Sequence, residues 1–257
     1  MRDVLEALAA GELSVAEAEA RLAGYATTEA GRFDAAREGR RGVPEAVLGE
    51  GKTPDEVADL ARAALESTGR ALVTRATPEA RTAVRETVPP SAAVEERERA
   101  GLITVHAGEY EPPALDADVA VVAAGTSDAA VAEEAAAVAA EMGARVERYD
   151  DVGVAGVHRL LDVVEPVRAA DVVVVAAGRE GALPTVVAGL VDTPVIGLPV
   201  GTGYGHGGAG EAALLGMLQS CTVLSVVNVD AGFVAGAQAG LVARTVSEAR
   251  SAAGTDE

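Results

Sequence analysis

The feature that most constrains the fold is a regular alternation of apolar runs and helical stretches that begins at Asp118. The apolar runs are rich in valine and short enough for buried strands, and a stretch of helical length follows each of them. The runs cover 119–124, 146–149, 172–177, 195–198 and 223–227, and the helical stretches cover about 127–142, 154–164, 183–191, 209–220 and 232–250. This alternation predicts an α/β fold with a doubly wound, parallel, five-stranded sheet.

The residues before this alternation have a different pattern. Residues 1–115 combine charged helical stretches, short apolar runs and turn signals, which predicts a small α+β N-terminal domain ahead of an α/β domain at 116–257. A dense basic cluster, Arg37, Arg40 and Arg41, lies in the first domain, and a solvated face that offsets nearby acids is its simplest interpretation. The chain is 49% hydrophobic but has four tyrosines, two phenylalanines and no tryptophan. Its core must therefore be aliphatic.

The charge balance excludes several classes of partner. A net charge of −19 argues against binding to nucleic acid or to an anionic membrane, because neutralising phosphates needs a basic surface. Lys52 is the sole lysine among many acids, and this composition predicts a halophilic protein, since molar salt screens self-repulsion. Eighteen uncharged residues separate Glu211 from Asp230, but polar residues and a change from helical to strand pattern argue against a membrane-spanning helix. The start of the chain lacks the apolar core of a signal peptide, so we expect a cytoplasmic location.

Polar residues and glycines cluster where the predicted strands end. Ligands of doubly wound sheets bind beyond the carboxyl ends of the strands. Seven glycines lie between Gly197 and Gly210, and such a loop before a helix suits anion binding through backbone N–H groups. Ser127 is expected to cap the first helix of the sheet domain. The residues that we expect to share this rim are Ser127, Asp128, His158, Arg159, Arg179, Glu180, His206 and Cys221.

Several sequence blocks resemble a known family. These blocks are GTSD at 125–128, VHR at 157–159, AGREGALPTVVAGLVDTPVIGLPV at 177–200, GHGGAGEAALLGMLQSC at 205–221 and NVDAGFVAGAQAGL at 228–241. Together with FDAAREGRRGVPEAVLGEGKT at 33–53, they resemble the LarB family of pyridinium-3,5-biscarboxylic acid mononucleotide synthases, which act in nickel-pincer cofactor synthesis. The C-terminal half is also similar to the phosphoribosylaminoimidazole carboxylases of purine synthesis.

The resemblance implies a reaction. LarB enzymes carboxylate the pyridinium ring of nicotinic acid adenine dinucleotide at position 5 with CO2 or bicarbonate, and cleave the phosphoanhydride to release AMP. In this chain Cys221 would be the nucleophile and Glu180 the base. The resemblance also implies Mg²⁺, whose ligands are unknown, and assembly as a homo-octamer. From position alone, a cysteine between a helix and a strand is more typical of a buried structural residue. The residues implied to bind the dinucleotide are Thr126, Ser127, Asp128, His158, Arg159, Gly178, Arg179, Gly201, Thr202, Tyr204, His206, Gly207 and Gly208.

Two alternatives stay open. The chain could be a purine-type carboxylase or mutase, but Ala182 stands where the purine enzymes have their proton-carrying histidine, and an acid, Glu180, lies two residues earlier. It could also be a non-catalytic nucleotide-binding module. The last helical stretch has Gly236 and Gly240 four residues apart, which predicts close packing against another subunit.

Overall fold

The chain divides into two compact units, Met1–Glu111 and Pro112–Glu257. The computed structural model describes residues 2–11 and 15–254, with the backbone alone for residues 16, 17, 19 and 20. Each unit has its own hydrophobic core. The predicted division between residues 115 and 116 stays a prediction.

The N-terminal unit is a small α+β domain. Its four-stranded sheet is mixed, since β3 pairs in parallel with β4 while the pairs β4 with β6 and β6 with β5 are antiparallel. Helix α4 begins at a capping box between Thr53 and Glu56 and ends at Gly69 in a left-handed conformation. The elements are α1 (Arg2–Ala9), α2 (Val15–Ala23), β1 (Ala26–Thr27), β2 (Arg32–Phe33), α3 (Arg37–Arg41), β3 (Val47–Leu48), α4 (Pro54–Thr68), β4 (Arg70–Thr74), α5 (Pro78–Thr87), β5 (Ala93–Arg97), a 3-10 turn (Glu98–Ala100) and β6 (Leu102–His106).

Two arginines of the basic cluster form ion pairs with nearby carboxylates. Arg37 pairs with Glu45 at 2.7 Å, and Arg40 pairs with Asp34 at 2.6 Å. These ion pairs agree with the interpretation that the cluster offsets nearby carboxylates, and they tie α3 to the loops on either side of it.

The C-terminal unit contains the predicted parallel sheet. Among the described residues its strands lie in the order β11-β10-β9-β7-β8, and every neighbouring pair is parallel, which confirms the predicted α/β class. The predicted helix at 154–164 is instead divided into a 3-10 turn and two short helices. The elements are β7 (Asp118–Ala123), α6 (Ala129–Glu141), β8 (Arg145–Tyr149), the 3-10 turn (Val154–Gly156), α7 (Val157–Asp162), α8 (Val164–Ala169), β9 (Val172–Ala177), α9 (Ala182–Ala188), β10 (Val195–Pro199), α10 (Glu211–Leu218), β11 (Ser225–Val226) and α11 (Gly232–Gly254).

The topology of this sheet marks one crevice. The three central strands β7, β9 and β10 are buried along nearly their whole length, which explains their unbroken apolar runs. The chain moves outward from β7 to β8 and then returns past β7 to β9. The order of connections therefore reverses between β7 and β9, and ligands of such sheets bind at the carboxyl ends of the strands at this switch point.

The long last helix packs inside the unit. A Cβ atom on Gly236 would lie 2.3 Å from the carbonyl oxygen of Ala135, and one on Gly240 would lie 2.6 Å from the sulfur of Met142. Both neighbours belong to the segment that forms and ends α6. The prediction that these glycines pack against another subunit is therefore wrong: they allow α11 to approach α6 in the same chain. In the described part of the chain, no helix combines the length and apolar character needed to cross a membrane.

This close approach predicts unequal costs along α11. Gly236→Ala should lower the free energy of unfolding by about 2–3 kcal/mol, because the new methyl group meets a fixed backbone oxygen. Gly240→Ala should cost about 1 kcal/mol or less, since the end of the Met142 side chain can move. Gly254→Ala is the matched control, as nothing lies within 4 Å of its Cβ position and alanine favours helix. Urea unfolding of the three variants tests this order, and equal effects at 236 and 254 would contradict it.

Candidate active site

A buried carboxylate joins three strand ends at the switch point. Asp128 follows β7 and is 5% exposed. Its Oδ2 accepts a hydrogen bond from the backbone N–H of Gly125 at 2.9 Å. Its Oδ1 accepts from the N–H of Gly178 after β9 at 3.2 Å and from the hydroxyl of Thr202 after β10 at 2.9 Å. Asp128 thus holds together the loops that form the crevice.

The hydroxyl residues beside Asp128 face solvent. Thr126 and Ser127 are exposed in the loop that leads from β7 into α6. The prediction that Ser127 caps this helix is wrong, because Asp128 is the residue directly before α6 and no side chain caps the helix start. The carboxylate of Asp128 turns inward to the neighbouring strands instead. Ser127 is left at the crevice with its hydroxyl accessible.

The turn after β9 carries the charged groups of the rim. Gly178 is buried, and a Cβ at this position would lie 2.3 Å from the Thr202 hydroxyl oxygen, so the residue must be glycine. Arg179 adopts a left-handed conformation with φ of 52°, and Gly181 closes the turn through a hydrogen bond to Gly178. The side chains of Arg179 and Glu180 are therefore exposed at the carboxyl end of β9.

The glycine-rich loop after β10 is fixed at its two ends. At the first end, the N–H of Gly201 donates to Oδ1 of Asp230 at 2.8 Å, and the carbonyl of Thr202 accepts from the N–H of Arg179. At the second end, Gly210 packs against Val229 and could not carry a side chain. Between these ends, Gly203 and Gly205 have open space around them, and residues 203–206 are exposed.

An aromatic ring links the open part of the loop to the turn after β9. The guanidinium carbon of Arg179 lies 4.3 Å from the centre of the Tyr204 ring, a cation–π distance. Tyr204 is 80% exposed. A hydrogen bond and the positive charge of Arg179 lower the pKa of the Tyr204 phenol. By contrast, burial and the neighbouring Glu147 raise the pKa of Tyr149, within β8, to about 12.

The segment after β8 contributes two further basic groups. His158 is exposed at the start of α7. Arg159 pairs with Asp151 at 2.6 Å, so its guanidinium is already partly neutralised. Gly153 brings this segment against the end of β7, because a Cβ there would lie 2.7 Å from the carbonyl oxygen of Ala124.

Asp230 belongs to this rim and was absent from the residues predicted to form it. It follows β11, has a positive φ of 55° and holds Gly201. Its place directly after the fifth apolar run was the available signal, since the same strand-end rule selected the other residues.

Cys221 lies away from the rim. Helix α10 starts beyond the carboxyl end of β10 and runs back across the sheet, so Cys221 precedes β11. It lines a groove of about 810 Å³ together with 191–196, the residues that lead into β10. The prediction that Cys221 follows a strand at the same rim as Glu180 is therefore wrong, because Cys221 lies with the residues that precede β10 and β11. The sulfur is also exposed, so Cys221 is not a buried structural residue.

The described residues of the rim do not form a preformed metal site. Across residues 2–11 and 15–254, no three Asp, Glu, His or Cys side chains are grouped as ligands. At the rim, Asp128 and Asp230 are occupied by the chain's own N–H and hydroxyl groups, and Glu180 is an exposed carboxylate. Mg²⁺ often binds through one or two carboxylates together with substrate phosphates.

The fold and the strand-end crevice define a doubly wound α/β domain of the ligand-binding class, and sequence comparison identifies its family. Residues 118–255 match the family model "AIR carboxylase", so the chain belongs to the AIR carboxylase family. Residues 25–107 match a second model, "LarB/PurE-like N-terminal domain", so the two domains have the order seen in LarB proteins. The chain is also 37% identical over 252 residues to "Uncharacterized protein MJ0165" of Methanocaldococcus jannaschii, covering 95% of this chain and 97% of that protein. These matches support a carboxylase-family function.

Proposed function

We propose that the protein carboxylates the pyridinium ring of nicotinic acid adenine dinucleotide at position 5 and cleaves its phosphoanhydride, releasing AMP. The product would be pyridinium-3,5-biscarboxylic acid mononucleotide, for nickel-pincer cofactor synthesis. The observation that carries the proposal is the LarB/PurE-like domain at 25–107 in front of the AIR carboxylase domain. A purine-type enzyme would not need this first domain. Residues 33–53, which lie in it, also resemble LarB sequences.

The chemistry needs a nucleophile and a base. A pyridinium ring is electron-poor, so its carbon attacks CO2 only after a thiolate has added and converted the ring to an enamine-like dihydropyridine. The C–C bond then forms, a base removes the proton from the carboxylated carbon, and the thiolate leaves with its electron pair as the ring becomes aromatic again. Cys221 is the proposed nucleophile and Glu180 the proposed base. Hydrolysis of the anhydride consumes one water and breaks one P–O bond.

The rim supplies groups for an anionic dinucleotide. Ser127, His158 and Arg179 are exposed around the switch point. The open glycines at 203 and 205 leave backbone N–H groups accessible to phosphate oxygens. Any Mg²⁺ would accompany the phosphates, and no step here depends on it. We assign Asp128 to holding the loops, because its oxygens already accept three hydrogen bonds.

The positions of Cys221 and Glu180 favour a site shared between two copies. Glu180 follows the carboxyl end of β9, whereas Cys221 lies beside the residues that lead into β10, and the reaction needs both side chains at one ring. We therefore propose that Glu180 of one copy works with Cys221 of another in a homo-octamer. The surface around Cys221 suits contact between copies of a chain with net charge −19, because Asp192 is the one charged residue among the described residues that line the groove and Val223 is 94% exposed.

A purine-type carboxylase is the second candidate, and the AIR carboxylase match over 118–255 favours it. The relevant difference is at Ala182, whose side chain has no group that can carry a proton to or from the substrate. The purine reaction would then have to proceed without its usual histidine. Retention of activity on an aminoimidazole ribonucleotide by Cys221→Ala would favour this candidate over the first.

Product analysis by mass spectrometry tests the proposal. The protein is incubated with nicotinic acid adenine dinucleotide, ¹³C-bicarbonate and Mg²⁺, in low and in molar KCl because the acidic composition predicts a salt requirement. We expect AMP together with a mononucleotide that carries one added labelled carboxylate. Tight binding of the dinucleotide without either product would indicate a non-catalytic nucleotide-binding module instead.

A further inference from the structure

Arg179 places an exposed positive charge at the carboxyl end of β9. Its guanidinium is exposed, and within the described residues no carboxylate pairs with it, although the chain has 40 acidic and 21 basic residues. Arg159, the neighbouring arginine of the rim, does pair with an acid. The left-handed backbone of Arg179 and its hydrogen bond to the carbonyl of Thr202 fix the direction in which the side chain leaves the turn.

The ring of Tyr204 already lies against this guanidinium. The ring lies 4.3 Å from the guanidinium carbon, and Arg179 lowers the pKa of the Tyr204 phenol. Among the described residues, it is Arg179 that contacts residues 203–206 from outside their loop. The flanking glycines at 203 and 205 have open surroundings, so the loop can move Tyr204 without breaking other packing.

We infer that Tyr204 and an anionic group of the ligand, of the phosphoanhydride class, compete for the guanidinium of Arg179. In the free protein Tyr204 covers Arg179 and holds the glycine-rich loop against the turn after β9. Binding of a diphosphate transfers the guanidinium from the ring to the phosphate oxygens and releases the loop. The inference concerns anion binding at the rim and deepens the proposed function by assigning Tyr204 as a competitor of the substrate rather than as a ligand of it.

Calorimetric titration with inorganic pyrophosphate tests this competition on the intact protein. An exposed cation–π contact contributes about 0.5–1 kcal/mol, which corresponds to a change in affinity of about two- to fivefold. Tyr204→Leu should therefore bind pyrophosphate about two- to fivefold more tightly than the wild-type protein. Arg179→Met should bind it at least about tenfold more weakly, because a charge-assisted contact is lost. Tyr204→Phe keeps the ring and should change affinity least.

The double variant separates competition from an independent effect. If Tyr204 acts only by covering Arg179, then adding Tyr204→Leu to Arg179→Met should leave affinity unchanged. Weaker binding by Tyr204→Leu alone would overturn the inference, since it would make Tyr204 a ligand. Absence of pyrophosphate binding to the wild-type protein would overturn it as well. Neither result depends on carboxylation, so the proposed function can fail while the competition holds.

Discussion

Co-expression of Cys221→Ala and Glu180→Gln chains should restore about a quarter of wild-type carboxylation, although each variant alone is inactive. Removing a covalent nucleophile costs on the order of 10⁶-fold in turnover, and removing a general base costs about 10²–10⁴-fold. If each site takes Glu180 from one copy and Cys221 from another, random assembly of equal amounts leaves both groups intact in about one site in four. Differently tagged chains, purified through both tags and assayed for labelled product, give the measurement.

The controls for this experiment are simple. Separately purified variants mixed without subunit exchange should stay inactive, and a double variant with Cys221→Ala and Glu180→Gln in the same chain should rescue neither partner. Exposure of Cys221 makes gross misfolding of Cys221→Ala unexpected, which size-exclusion chromatography can check. Mixed assemblies no more active than either parent would show that the two residues do not meet across copies, and the proposed roles would have to be reassigned.

The fold of the C-terminal unit was predictable because burial on both faces leaves a strong pattern. Short, valine-rich runs such as Val172–Ala177 are typical of strands in a parallel sheet, and the spacing between the runs indicates the helices between them. The ends of the elements were less predictable. The region after β8 looked like one helix, but Gly153 and Gly156 direct a turn against the end of β7 before α7 begins.

The site was predictable only in part, and the reason is geometric. The strand-end rule places Glu180 and Arg179 correctly because each follows a strand directly. Cys221 lies just before the fifth apolar run rather than after a strand, so this rule does not place it at the rim. Likewise, the four-residue spacing of Gly236 and Gly240 predicts close packing but does not identify the partner, which is α6 of the same chain.

Asp128→Ala should have the largest effect on stability among the rim residues. The variant leaves the N–H groups of Gly125 and Gly178 and the hydroxyl of Thr202 without their acceptor. An unsatisfied buried group costs about 1–3 kcal/mol, so we expect a loss of about 3–5 kcal/mol in the free energy of unfolding. The loops after β9 and β10 would separate, and carboxylation should fall even at temperatures where the variant stays folded.

Two further variants distinguish positioning from substrate contact. Thr202→Val removes one of the three hydrogen bonds and should cost about 1 kcal/mol, with a small effect on turnover. Asp128→Asn retains one carbonyl acceptor and should be intermediate in stability. If Asp128 holds the loops, the loss of kcat/KM should follow the loss of stability across this series, because the loops carry the groups proposed to bind the substrate. A strong rise in KM for Asp128→Asn at nearly wild-type stability would instead make Asp128 a substrate ligand, and the loops would then owe their positions to Asp230 and the glycines.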